Sequence, residues 1–218
     1  MVKGRRFAVG DVALRVSQTI VEHHPEIALV RLESWTVGSE YGTNFRTADE
    51  RRSHLAEALR TNGYPIERDY PRAEFLALEQ QDLTVTQPNQ VWGISSKVIC
   101  VDGSAKHIPM MDVDPDKITL NDVIERVKAI SEGNPGVLVG SGRGIHYYGD
   151  YLVNDGREWE KLLAKFLKAT GIVDMADGLQ TARFIGHCLD RGFTTLRLTG
   201  GTSMKKEVPK VIELLNQE

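Results

Sequence analysis

Asp112 and Asp114 stand on either side of Val113, just ahead of Pro115, and about thirty residues later the chain reads Ser141-Gly142-Arg143-Gly144-Ile145-His146. In an extended strand, residues i and i+2 point to the same face, so the two carboxylates project together while Val113 enters the core. Ionised carboxylates that close repel each other, and a divalent cation relieves the repulsion. Oxygen donors of this kind suit Mg²⁺ or Mn²⁺, with triphosphate oxygens and water completing the coordination. A pair of such ions, about 4 Å apart, performs phosphoryl or nucleotidyl transfer: one activates an attacking hydroxyl, the other the leaving group. Asp-x-Asp alone is weak evidence, because a solvated loop often carries one.

The second segment strengthens it. A short strand running into Gly140–Gly144 lets backbone N–H groups approach phosphate oxygens with no Cβ in the way. Ser141 offers a hydroxyl, Arg143 a positive charge and His146 a further contact, while Gly142 and Gly144 supply room. Two rival readings of the glycines fail. Ile145 holds the place of the last glycine in G-x-G-x-x-G, and Tyr147-Tyr148 continue as strand rather than helix, so the dinucleotide fingerprint is absent. No Gly-Lys-Ser/Thr follows, so this is not a Walker loop either.

The elements that must position these residues read as a mixture of helices and strands. Apolar spacing predicts a helix over about 11–23 with His23-His24 at its end, then a strand over 28–37. Thr47-Ala48-Asp49-Glu50 predicts a capped helix that continues through Leu55, Ala58 and Leu59 and stops at Asn62-Gly63. Val91–Val101 and Lys106–Asp114 read as strands joined by a tight turn at Asp102-Gly103, with Pro115 ending the second. Thr119–Asp122 caps a helix carrying Val123, Val127 and Ile130. Val137–Val139 is a short buried strand, and Tyr147-Tyr148 lie on the next. A helix over about 156–169, one around 179–189, a strand over Thr194–Leu198 and a helical tail after Pro209 complete the pattern.

Composition sets the bounds. At 218 residues, 41% hydrophobic and 26% charged, the chain reads as one soluble domain with a proper core. No apolar run approaches the length of a membrane helix and the start lacks a signal-peptide core, so a cytoplasmic protein with no membrane partner is expected. Cys100 and Cys188 lie far apart in apolar surroundings, which excludes a cysteine zinc site and favours buried thiols. The net charge of −3 argues against a strong non-specific nucleic-acid binder. The basic clusters Lys3/Arg5/Arg6, Arg51/Arg52 and Lys205/Lys206/Lys210 read as solvated faces. Of the remaining histidines, His54 reads as one face of a helix, His107 as a support for the aspartates, and His187 as a core residue.

Taken in order, Asp112-Val113-Asp114, Ser141–His146 and Val173-Asp174 resemble the three motifs of the catalytic domain of the archaeo-eukaryotic primase superfamily, which includes the primase-polymerases. Arg183-Phe184-Ile185-Gly186-His187 and Leu196-Arg197-Leu198-Thr199-Gly200-Gly201 resemble the segments C-terminal to those motifs in its bacterial primase-like branch. The resemblance covers roughly residues 90–212. It implies an α+β fold spanning 1–218 as a single domain: an N-terminal α/β part over about 1–90, and a motif-bearing part over about 91–218 built on an RRM-like antiparallel sheet.

The activity it implies is metal-dependent nucleotidyl transfer, adding nucleoside triphosphates to a 3′-hydroxyl or starting a primer, with release of pyrophosphate. Asp112, Asp114 and Asp174 would be the catalytic ligands of two Mg²⁺ or Mn²⁺ ions. Ser141, Gly142, Arg143, Gly144, His146 and Arg197 would bind the nucleotide. The interval from Asp174 to Arg183 is longer than the family pattern, which keeps Asp177 as an alternative third carboxylate; Asp190, before the turn at Arg191-Gly192, reads as surface. Implied partners are nucleoside triphosphates, a single-stranded template or primer, and a partner protein that supplies template binding. The alternative is a catalytically inactive nucleotide- or nucleic-acid-binding subunit of a replication, mobile-element or defence complex. A strand-nicking enzyme using Tyr147 or Tyr148 ranks lower, because His107-Ile108-Pro109 lacks the histidine pair that such a metal site needs.

Overall fold

A computed structural model describes residues 6–36, 66–83, 90–113, 119–142, 144–170, 184–200 and 205–216. Along the chain run α1 (Ala13–His23), β1 (Ile27–Thr36), β2 (Ile66–Pro71), the short α2 (Arg72–Ala77), β3 (Gln90–Cys100), β4 (Ala105–His107), β5 (Met110–Val113) and α3 (Leu120–Ser131). They are followed by β6 (Gly136–Gly140), β7 (Ile145–Gly149), β8 (Val153–Asn154), α4 (Arg157–Thr170), α5 (184–191), β9 (Thr195–Arg197) and β10 (Lys210–Leu215). The expected helix over 47–59, with His54 on it, lies outside the described residues.

The strands form two antiparallel sheets, so the class is α+β. Six strands make the first, in the order β2-β1-β3-β4-β8 with β9 also paired to β3; four make the second, in the order β10-β6-β7-β5. Two cores follow from strand alternation. One face of the four-stranded sheet, through Met110, Val137, Val139 and Tyr148, packs with α1 and with Leu32 and Ile94 of the larger sheet. Its other face, through Met111, Val113, Leu138 and Tyr147, packs against Val123 and Val127 of α3 and Leu163 and Phe166 of α4. The four-stranded sheet is therefore the middle layer, and Asp112 lies on the side that looks toward the larger sheet. Among the described residues, no helix is long and apolar enough to cross a membrane.

Local chemistry accounts for the boundaries. Thr119 caps α3: its hydroxyl accepts from the Asp122 N–H at 3.2 Å, and the Asp122 carboxylate accepts from the Thr119 N–H at 2.9 Å. The Asp102-Gly103 turn joins β3 to β4 as expected, the two strands pairing Lys97 with His107.

Three expectations are corrected. The strand over Lys106–Asp114 is two strands in different sheets. Pro109 has no N–H to continue a ladder, and the chain crosses there, with the Ile108 N–H still donating to Ser96 of the first sheet and the Pro109 carbonyl accepting from Gly149 of the second. The tail after Pro209 is strand β10, not helix. Val211 pairs with Val139 and Glu213 with Leu138, so a bulge at residue 212 turns Val211 to one core and Leu215 to the other. That bulge spaces the apolar residues like a helix. Thirdly, His187 is exposed on α5 rather than a core residue.

Candidate active site

The β5–β7 ladder places Asp112 directly across from His146, with Met110 across from Tyr148 one step deeper. Asp112 Oδ1 lies 3.7 Å from His146 Nε2, beyond hydrogen-bond distance. The two side chains differ sharply in exposure: 47% for the carboxylate and 6% for the imidazole. Asp112 stands on the edge strand and meets solvent; His146 sits behind it on an inner strand, between β5 and Val139 of β6.

The glycine turn closes over this pair. The Ser141 N–H donates to the Gly144 carbonyl at 2.9 Å. Gly142 has φ +100°, a conformation that a side chain would strain. A Cβ on Gly144 would lie 3.2 Å from both Asp112 Oδ1 and Ser141 Oγ, so the absence of a side chain is what lets carboxylate, hydroxyl and turn backbone converge.

Arg197 approaches from the larger sheet, where β9 pairs it with Gly93. Its Nη2 donates to the Ser141 carbonyl at 2.6 Å, and its Nη1 to the carbonyls of Thr199 and Glu207. The sequence suggested a nucleotide contact. In the structure the guanidinium grips main chain, including the turn itself.

A family model described as AEP-like, archaeo-eukaryotic primase 1D-like, matches residues 75–210. The chain belongs to the archaeo-eukaryotic primase-like family. The match contains Asp112, the glycine turn, His146 and Arg197. No curated protein and no solved structure matches the chain. Family membership implies nucleotides and nucleic acids as substrates, and members typically use divalent metals.

The electrostatics of this primase-like site follow from its burial. Burial, with Arg197 and Lys205 adding positive charge, pushes His146 down to about 3, so the ring is neutral at physiological pH. Burial raises the Tyr148 hydroxyl; Arg197 opposes the rise and Asp112 adds to it. His146 Nδ1 and Tyr148 Oη are buried with no hydrogen-bond partner among the described residues. Burial also raises Cys188 on α5 to about 11, against the Thr194 hydroxyl and Arg191, with Asp112 contributing. The thiol therefore stays protonated within the second core. Tyr147 is buried and raised as well, so neither adjacent tyrosine suits a nucleophile.

The structure thus brings together Asp112, Ser141, Gly142, Gly144, His146 and Arg197. Asp114, Arg143, Asp174 and Asp177 lie outside the described residues. Among the described residues, no group of three or more His, Cys, Asp or Glu side chains is placed to hold a metal. Asp190 is exposed, as its turn position suggested. Sequence reasoning missed Tyr148 as a wall of the site. Tyr148 was readable, since it stands two residues beyond His146 on the same strand.

Proposed function

We propose that this primase-like protein is a metal-dependent nucleotidyltransferase of the primase-polymerase type, joining nucleoside triphosphates to a 3′-hydroxyl or to a first nucleotide with release of pyrophosphate. The observation that carries this reading is the half-exposed Asp112 carboxylate converging with Ser141 Oγ and a neutral His146 on a turn kept open by Gly144.

The donor set fits a hard divalent cation. Asp112 offers carboxylate oxygens at the rim, and Gly144 leaves space beside them where a Cβ would intrude. Asp112, with Asp114 and Asp174 (or Asp177 in its place), would hold two Mg²⁺ or Mn²⁺ ions. When bound, such ions neutralise charge on the transferring phosphate and promote ionisation of the attacking hydroxyl.

The chain's own residues supply placement. Ser141 Oγ and the turn backbone around Gly142 bind triphosphate oxygens, and Arg143 adds charge. His146, neutral because it is buried, contributes a hydrogen bond without a second positive charge. Arg197 holds the Ser141 carbonyl and so fixes the turn, while its charge stays close enough to depress His146. The hydroxyl then attacks the α-phosphorus and pyrophosphate leaves, with positioning and charge neutralisation providing most of the rate.

The strand–helix–strand–strand–helix run β5-α3-β6-β7-α4, with β8 inserted and β7 lying between β5 and β6, supports reading the four-stranded sheet as the RRM-like part and residues 1–218 as one catalytic domain. A single-stranded template or primer is the second substrate, and a partner protein supplies further template binding.

Incubation with labelled nucleoside triphosphates, Mn²⁺ and single-stranded template tests this. The parent yields dinucleotide or polymer, and Asp112→Ala does not. Nucleotide binding without product under varied metal and template conditions would replace this reading with an inactive binding subunit. Asp174→Asn and Asp177→Asn, assayed separately, decide the third carboxylate.

A further inference from the structure

The face of the larger sheet turned away from its core carries a second concavity. Val30, Leu32, Ile94 and Val98 point into the core, so their neighbours along β1 and β3 point outward. There Leu29, Ile99 and Phe193 form apolar walls and Arg31, Asp69, Ser95, Lys97 and Arg191 the polar ones, around a space of about 290 Å³.

Three cations suggest an anion site, but their pairing argues otherwise. Arg31 grips Asp69 through Nε and Nη2 at 2.7 and 3.0 Å and Glu67 through Nη1 at 2.8 Å. Lys97 Nζ lies 2.7 Å from Asp155. Arg191 Nη2 lies 2.6 Å from Glu33 Oε1, and Glu33 is only 1% exposed. Four carboxylates thus answer three cations, and a phosphate would meet them all. What the groove offers is planar surface. The Arg191 guanidinium lies 4.3 Å from the centre of the Phe193 ring. Buried Glu33 fixes it there and also accepts from the Thr195 hydroxyl at 2.8 Å.

This platform shares a strand with one residue of the site. Ser95 pairs with Thr195 and Gly93 with Arg197, so Arg197 stands one alternation, about 7 Å, beyond Thr195 on the side that bears Ser95 and Lys97. The strand that Glu33 anchors is the one that delivers Arg197 to the glycine turn.

We propose that the groove takes the base of an unpaired nucleotide of the template or primer strand, stacked on the Arg191–Phe193 platform. The substrate class rests on the nucleotidyl-transfer reading; the geometry does not. Bases out of the helix stack on aromatic rings and guanidinium planes. Because the cations are already neutralised, the contribution of Phe193 is insensitive to salt, unlike that of a phosphate-tracking basic groove.

Anisotropy of a fluorescent twelve-nucleotide oligothymidylate with the full chain, without metal, tests this. Phe193→Ala is expected to weaken binding about tenfold, by the same factor at 50 and 200 mM salt. An abasic strand of equal length should bind the parent no better than the complete strand binds Phe193→Ala. Phe193→Leu keeps apolar bulk and removes the ring, so it reads the stacking loss even if Phe193→Ala folds poorly. No binding by the parent, equal binding by parent and Phe193→Leu, or undiminished binding of the abasic strand would each overturn the proposal. Synthesis assays on the parent and the Phe193 variants separate the two readings: Phe193-dependent binding without synthesis by the parent would end the catalytic reading and leave the groove standing, whereas synthesis indifferent to Phe193 would do the reverse.

Discussion

His107 and His146 are both buried histidines on short strands, and burial lowers both below the ordinary histidine value. Their surroundings differ. The two ring nitrogens of His107 lie 3.0 Å from Ser96 Oγ and 3.0 Å from Asp155 Oδ1, and the ring stacks on Trp159 with centroids 4.3 Å apart. The ionised Asp155 carboxylate can only accept, so Nε2 carries the hydrogen of the neutral ring and Nδ1 accepts from the Ser96 hydroxyl, whose oxygen also takes the Thr194 N–H. Burial alone would raise Asp155, but hydrogen bonds from Lys97 and His107 outweigh it and bring the carboxyl to about 2. Serine, histidine and aspartate in line look like a nucleophile relay, yet Ser96 is fully buried with its hydroxyl engaged. This is a closed network that ties β3, β4 and the start of α4 together. His146 has the opposite arrangement, with one nitrogen unpartnered among the described residues and the other near a solvent-facing carboxylate. One histidine is committed to the scaffold; the other keeps capacity for a ligand.

Exchanging each ring for a smaller amide breaks this comparison if it is wrong. His146→Asn is expected to lower nucleotide incorporation at least ~100-fold, a loss of about 3 kcal/mol in transition-state stabilisation. His107→Asn is expected to cost about 2–4 kcal/mol of stability, from the cavity under Trp159 and the unsatisfied groups left behind. Its turnover per folded molecule should stay near that of the parent. Urea unfolding and incorporation assays on the two proteins read both axes. Loss of turnover in His107→Asn at full stability would place the catalytic centre elsewhere.

Gly144→Ala sharpens the same contrast at smaller scale. Its Cβ would press on Asp112 Oδ1 and Ser141 Oγ, the mobile ends of the groups the site uses, rather than on the core. The expected result is a roughly tenfold higher KM for nucleotide, about 1.4 kcal/mol, with the urea midpoint unchanged. A shifted midpoint with unchanged KM would show the glycine to be needed for folding alone.

Sequence patterning made legible the elements whose signals are local. The Thr119 cap, the Asp102-Gly103 turn and the Asp112 strand needed no tertiary information, and alternation alone put Val113 in the core. The tail was not legible, because the bulge at residue 212 breaks the period of two. The break at Pro109 had a local signal, a proline inside a strand pattern, but only the meeting of two sheets says that the chain changes partner there. Within the site, the Asp112–His146 pairing depends on β5–β7 register between segments over thirty residues apart, which spacing alone does not supply. The carbonyl grip of Arg197 was equally unreadable, since its acceptors are backbone atoms with no sequence signature.

The smallest expected effect is on pH, and its sign follows from His107. Burial lowers this histidine from 6.5, and Asp155 recovers only part of the fall. Below pH 6.5 the unfolded chain therefore takes up a proton before the folded one does. The folded state loses stability as pH falls from 6.5 toward the folded value, by at most about 1.4 kcal/mol per unit, and regains it above 6.5. His107→Asn removes that proton from the balance, so its stability deficit relative to the parent should be smaller at pH 5.5 than at pH 7.5. His24 titrates with the opposite sign, its value being raised because Asp150 and Glu26 outweigh its burial, but it is common to both proteins and cancels in the difference. Working above pH 5 keeps Asp155 ionised in the parent throughout. A deficit that grows on acidification would mean that His107 is held as the cation, and the closed network would have to be redrawn around a charged ring.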